Sequence, residues 1–156
     1  MKLNYQKIKK IYSNDRAFAA LNQDGSVTTW GSSCGGGDSS SVSDQLQSGV
    51  VEIYQTENAF AALKQDGSLV TWGSSSYGGD SSSVSGQLSA GVVAVYSNAI
   101  AFAALKDDGS LVIWGEYDES DDHKNQLKSG VVAVFASVNT FSALKYDGSL
   151  VTWGDL

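Results

Sequence analysis

The chain has 156 residues and a formal charge of −7, with 42% hydrophobic residues, 17 glycines and no proline. That is the length of one domain with enough apolar surface for a core, which sets aside a disordered polymer. The acidic balance sets aside nucleic acid as a partner, since phosphate binding rests on clustered Lys and Arg.

Five of the ten basic residues (Lys2, Lys7, Lys9, Lys10, Arg16) fall in the first sixteen positions. Lysines are a common device for blunting a sheet edge, so residues 7–12 read as a solvated edge strand. Next comes a phrase that returns four times: Phe-x-Ala-Leu, a short gap, Asp-Gly-Ser, three residues, Trp-Gly. Its tryptophans, Trp30, Trp72, Trp114 and Trp153, are spaced 42, 42 and 39 residues apart and are the only four in the chain. A period near 40 with turn signals inside each copy marks a repeat architecture.

The second copy shows the plan. The β-branched run Val50-Val51-Glu52-Ile53-Tyr54 is of strand length, and after a polar break comes Ala59-Phe60-Ala61-Ala62-Leu63. Asp66-Gly67 then reverses the chain into Leu69-Val70-Thr71-Trp72. Asp-Gly between apolar strands is a strong hairpin signal, because the left-handed backbone of a tight turn costs Gly nothing and Asp little. Asp24-Gly25, Asp108-Gly109 and Asp147-Gly148 repeat it. The middle strand is apolar at every position, which predicts burial on both faces, and its alanines let a neighbouring sheet approach closely. Six residues between a break and a turn are too few for a stable helix.

The expected fold is therefore all-β: a propeller-like array of four three-stranded antiparallel meanders of about 40 residues. It forms a single repeat domain, 1–156, with repeats at about 6–48, 49–90, 91–129 and 130–156. The tryptophans, Asp24, Asp66, Asp108, Asp147, Gly25, Gly67, Gly109 and Gly148 are its structural repeat residues.

Connections follow each copy. Residues 31–46 and 73–88 match closely through Gly36-Gly37-Asp38 and Gly78-Gly79-Asp80; Asp38 and Asp80 stand as helix N-caps, with a turn or two of helix expected after them. The third connection is three residues shorter, and its segment 116–123 carries five carboxylates and the only histidine. It supplies the weak metal candidates Asp118, Asp121, Asp122 and His123, although a solvated loop explains it more simply. The Asp-Gly-Ser turns offer one carboxylate each, whereas calcium takes six or more oxygens. No metal and no cofactor are expected.

Cys34, the only cysteine, allows no internal disulfide and sits in a Ser/Gly loop where the second copy has Ser76. No pairing of Ser, His and Asp or of Cys and His suggests a nucleophile, so the chain reads as not an enzyme. The N-terminus has no apolar signal-type run, and no segment reaches the ~20 apolar residues of a membrane span. A cytoplasmic protein without a membrane partner is expected, with a secreted or surface location left open.

The pattern Ala-Leu-x-x-Asp-Gly-x-x-x-x-Trp-Gly after a Val-rich strand resembles the repeat of the regulator of chromosome condensation (RCC) family, in its divergent, short-repeat members. The resemblance spans essentially the whole chain. It implies β-propeller blades, one per repeat, with strands running outward from a central axis. The family's typical repeat is longer and its typical propeller has seven blades. Its exchange-factor and chromatin functions use loops and basic features that nothing here matches residue by residue.

The expected function is a non-catalytic protein-interaction scaffold with a protein partner. One alternative is a surface or secreted module, glycan- or protein-binding, of a larger adhesin- or toxin-like protein. Small-GTPase exchange follows from the family analogy alone. Four blades also raise a question of closure. Ile8, Ile11 and Phe18 at one end, and Leu150, Val151 and Phe141 at the other, would lie bare in an open arc. A homodimer closing a ring is expected, with a small four-bladed ring or a longer array as alternatives.

Overall fold

The computed structural model describes residues 7–116 and 121–154. The meanders form as four separate sheets. The first holds β1 (Ile8–Ser13), β2 (Ala17–Asn22) and β3 (Val27–Gly31), and the second β4 (Val50–Gln55), β5 (Ala59–Lys64) and β6 (Leu69–Gly73). The third holds β7 (Val92–Ser97), β8 (Ala101–Lys106) and β9 (Leu111–Gly115). The last holds β10 (Val131–Ala136), β11 (Thr140–Lys145) and β12 (Leu150–Gly154). Every strand pair is antiparallel, and each first strand carries one register shift, as between Val50 and Glu52, a bulge that adds local twist.

The Asp-Gly turns work as the sequence implies. In all four, the Asp Oδ1 accepts the backbone N–H of the following Ser at 2.9–3.0 Å and its hydroxyl at 2.5–2.6 Å. The glycines take φ between +82° and +87°, where a side chain would be strained. Packing adds a second reason for glycine. A Cβ on Gly25 would meet the Gly49 nitrogen at 2.8 Å, so the turn of one blade lies directly on the start of the next.

Blades stack face to face through three apolar clusters. The first joins Ala17, Ala19 and Leu21 to Ile53, Phe60, Val70 and Trp72, with Leu46 between them. The second joins Ala59 and Ala61 to Val95, Phe102 and Trp114, and the third joins Ala101, Ala103 and Ile113 to Val134, Phe141 and Trp153. In the second blade Ala59 and Ala61 face forward while Phe60 and Ala62 face back, so both faces are covered and the run does not alternate apolar with polar. First strands of successive blades lie against one another, β1 on β4, β4 on β7 and β7 on β10, so they form the inner rim of an arc.

The connections differ from expectation in their helices. After Gly36 and Gly78 the chain makes short 3-10 segments, including Ser40–Leu46 and Ser82–Val84, whose N-caps are Ser39 and Ser81. Asp38 and Asp80 instead accept the N–H of Ser40 and Ser82 at 3.0 and 2.9 Å. An Asx turn two residues ahead satisfies the carboxylate before a helix can use it. The third connection forms a true α-helix, α1 (Asp121–Gln126).

Candidate functional site

Two places concentrate unusual chemistry: the inner rim and the two end faces. On the rim, the fifth position of every first strand is aromatic: Tyr12, Tyr54, Tyr96 and Phe135. Their places opposite Ala19, Ala61, Ala103 and Ser142 match across the four sheets. Tyr12, Tyr54, Glu52, Gln55, Ser13, Ser97 and Lys10 line a shallow cleft there. The Tyr12 hydroxyl donates to Glu52 Oε1, and Lys10 Nζ sits 4.8 Å above the Tyr12 ring centroid. Burial first, then the Glu52 hydrogen bond and charge, push the Tyr12 phenol far above its ordinary pKa. Tyr54 is pushed up by burial, with Glu52 and Tyr96 adding to it. Phenols held protonated beside a carboxylate form a hydrogen-bonding surface with no activated nucleophile. The aromatic row is present in the sequence as one residue per repeat, with no spacing signal that sets it apart from the rest of the strand.

The repeat tryptophans stack on the phenylalanine of their own sheet at 5.4–5.5 Å between ring centroids. In the middle blades each indole is also tied to the preceding connection. Trp72 Nε1 donates to the Gly36 carbonyl at 3.0 Å, and Trp114 Nε1 to that of Gly78 at 3.1 Å. Trp153 is equally buried, but its Nε1 has no partner among the described residues, and the shorter third connection has no Gly-Gly pair in its sequence. Trp30 is only half-buried.

The acidic segment gives less than its composition suggests. Asp118 lies outside the described residues, Asp121 and Asp122 open α1, and His123 is half-buried with its Nδ1 unpartnered. Among the described residues no group of three His, Cys, Asp or Glu side chains converges. Cys34 is exposed. The turn carboxylates of Asp24, Asp66, Asp108 and Asp147 are held below the ordinary range, chiefly by the Ser hydroxyl and then by the Ser N–H.

The end faces are where the repeat stops covering itself. Ile11 and Phe18 are 52% and 43% exposed, while their counterparts in the second blade, Ile53 and Phe60, are 2% and 0%. At the other end Leu150 is 64% and Phe135 60% exposed. Val151 and Phe141 are buried, contrary to the expectation that they lie bare. They occupy the backward face of their strands, against the third blade, while Leu150 and Phe135 occupy the forward face. Among the described residues no apolar cluster joins the fourth sheet to the first. No helix among them is long and apolar enough to cross a membrane.

No protein-family model matches the sequence, and no curated protein matches it. Solved structures do. Prp20p from Saccharomyces cerevisiae, elsewhere described as yeast RCC1, is 16% identical and superposes with a TM-score of 0.61 over 94% of this chain and 44% of its own. Human WBSCR16 is 18% identical, with a TM-score of 0.60 over 99% of this chain and 49% of its own. The CRINKLY WD40 ectodomain of the Arabidopsis thaliana receptor kinase ACR4 is 17% identical, with a TM-score of 0.56 over 94% of this chain and 50% of its own. The chain thus spans about half the length of these propellers. It has their fold, an all-β propeller of RCC1-type repeats.

Proposed function

We propose that the chain is a non-catalytic protein-interaction scaffold that works as a pair of copies and binds its protein partner through the connections. What carries this reading is how the repeat allots its polar groups. Strand and turn polar side chains are spent on internal bonds, as in the Asp-Ser turns and in the Thr71–Ser81 hydroxyl pair at 2.8 Å. Beyond those bonds the connections leave Ser40, Ser41, Ser43 and Asp44, and Ser82, Ser83, Ser85 and Gly86, exposed. Adaptable hydrogen-bonding loops on a rigid sheet frame suit protein recognition. Prp20p is described with binding properties to Gsp1p and histones, and in a complex with Kap60, which is consistent with this class of role. A cytoplasmic location remains part of the proposal.

The test is capture from the source cell with the native chain and with a chain in which only the exposed Ser40, Ser41, Ser43, Asp44, Ser82, Ser83 and Ser85 are changed to Gly, leaving Val42, Val84, Ser39 and Ser81 in place. A partner lost with the replaced connections supports the reading. A partner retained equally by both chains moves recognition to the rim or the ends and overturns it. Binding to an immobilised glycan panel with no protein retained would favour the surface-module alternative.

A further inference from the structure

We propose that the two bare ends are halves of one joint: the forward face of the fourth blade seats on the backward face of the first blade of a second copy, in the register of the internal joints. This rests on the reading that the chain works as a pair, and it specifies how the pair forms.

The warrant is a set of backbone bonds that runs from blade to blade and stops at both ends. One belt links equivalent loop residues: the N–H of Asp15 donates to Glu57 O at 3.1 Å, Glu57 to Ala99 O at 2.9 Å, and Ala99 to Val138 O at 3.0 Å. A second belt ties each turn to the next first strand: Val50 N–H to Gly25 O at 3.0 Å, Val92 to Gly67 O at 3.0 Å, and Val131 to Gly109 O at 2.9 Å. Continued by one step, the first belt needs an acceptor for the Val138 N–H, and the second needs a donor for the Gly148 carbonyl. The first blade offers both, the Asp15 carbonyl and the Ile8 N–H, and among the described residues neither is used by another backbone group outside the strand ladders. Donor meets acceptor at both belts when a first blade follows a fourth, and a second copy supplies both surfaces at once.

Space and charge agree. A Cβ on an internal turn glycine would press on the next strand, at 2.9 Å from Gly91 N for Gly67, whereas one on Gly148 would meet nothing within 4 Å. The residue that would follow it is Lys7, where the internal joints have Gly49, Gly91 and Gly130 at φ +74° to +79°, so this joint alone would carry a side chain at that position. Lys9 and Lys10 in the first strand, with Lys7 just before it, suit the terminal blade of an acidic chain. The fourth blade's forward face carries Ser142 and Thr152 where the third has Ala103 and Ile113. Their hydroxyls bond to each other at 2.7 Å, so they can be covered without losing a partner. Two such joints related by a two-fold axis close eight blades into a ring and leave no end bare.

The test places cysteines at Asp15 and Val138 in a Cys34→Ser background, separately and together. Both sites are exposed loop positions. Residues joined by one backbone hydrogen bond lie roughly within the 4.4–6.8 Å Cα separation a disulfide needs. The joint predicts that the double variant oxidises to a covalent dimer and that neither single variant does. A native pair in light scattering, with Val138→Cys alone cross-linking, would mean tail-to-tail contact; it overturns the joint and leaves the pair standing. A pair with no cross-link in any variant overturns the joint equally. A chain that stays at single mass up to high micromolar concentration overturns both. As a second readout, Leu150→Asp should raise the dimer dissociation constant about tenfold or more while the native circular dichroism is kept.

Discussion

The middle blades and the end blades carry the same sequence phrase in different circumstances, and the contrast separates what the repeat encodes from what its neighbours supply. Phe60 and Phe18 occupy the same register and stack on their own tryptophan at 5.5 and 5.4 Å, yet one is fully buried and the other 43% exposed. The hairpin and the aromatic stack are local. Burial is delivered by the preceding blade and its connection, whose Gly36 would clash with Phe60 at 2.7 Å if it carried a Cβ. A repeat of this kind cannot bury its own backward face.

The largest expected effect breaks the contrast at the tryptophans. Trp72→Ala should cost about 3–5 kcal/mol, as for other buried aromatics, and Trp30→Ala clearly less. Urea unfolding of the two variants measures this, and equal losses would contradict the difference between middle and end. A finer version compares two buried indoles. Trp72→Phe leaves the Gly36 carbonyl without its donor and should cost about 1–3 kcal/mol beyond the change in ring size. Trp153→Phe removes a donor that had no acceptor, so it should cost less than Trp72→Phe in the same assay.

Titration sharpens the contrast at the first joint. The Tyr12 phenol is raised above its unfolded value of 10.0, so its stabilisation is complete below that pH and fades as pH rises through the folded value. Alkaline unfolding should therefore show a smaller loss of stability over that range when Tyr12 is changed to Phe. The turn aspartates move oppositely. Their folded pKa values lie below 3.8, so their contribution is present above that value and lost as pH falls through the depressed folded one. All four turns share this, so Asp66→Asn and Asp147→Asn should flatten the acid side of the stability curve by similar small amounts. The smallest effect concerns 116–123: calcium or zinc below millimolar should leave the melting temperature unchanged. A rise abolished by Asp121→Asn with Asp122→Asn would restore the metal reading.

Much of this was legible in the sequence because it is local. Asp-Gly spacing fixed the hairpins, and the unbroken Ala-Phe-Ala-Ala-Leu run announced a strand covered on both faces. What the sequence left hidden depends on which face a residue takes at the end of the array. Val151 and Leu150 are neighbours with equal hydrophobicity, and only the direction of stacking buries the first and bares the second. The capping role assigned to Asp38 and Asp80 failed for a related reason, since an Asx turn and an N-cap share one sequence signature. The inner tyrosines were visible as letters, but their common rim exists only once the first strands are set side by side.

Amide hydrogen exchange at Val138, measured against Ala99 over a range of protein concentration, tests the central claim most directly. Both belong to the same belt, but of the two only Ala99 N–H has a backbone partner among the described residues, Val138 O at 3.0 Å. A ring closed by a second copy predicts that Val138 gains protection as concentration rises, approaching that of Ala99 as the pair saturates. Exchange at Val138 that stays at the rate of an unbonded loop amide at every concentration, while Ala99 remains protected, would contradict it.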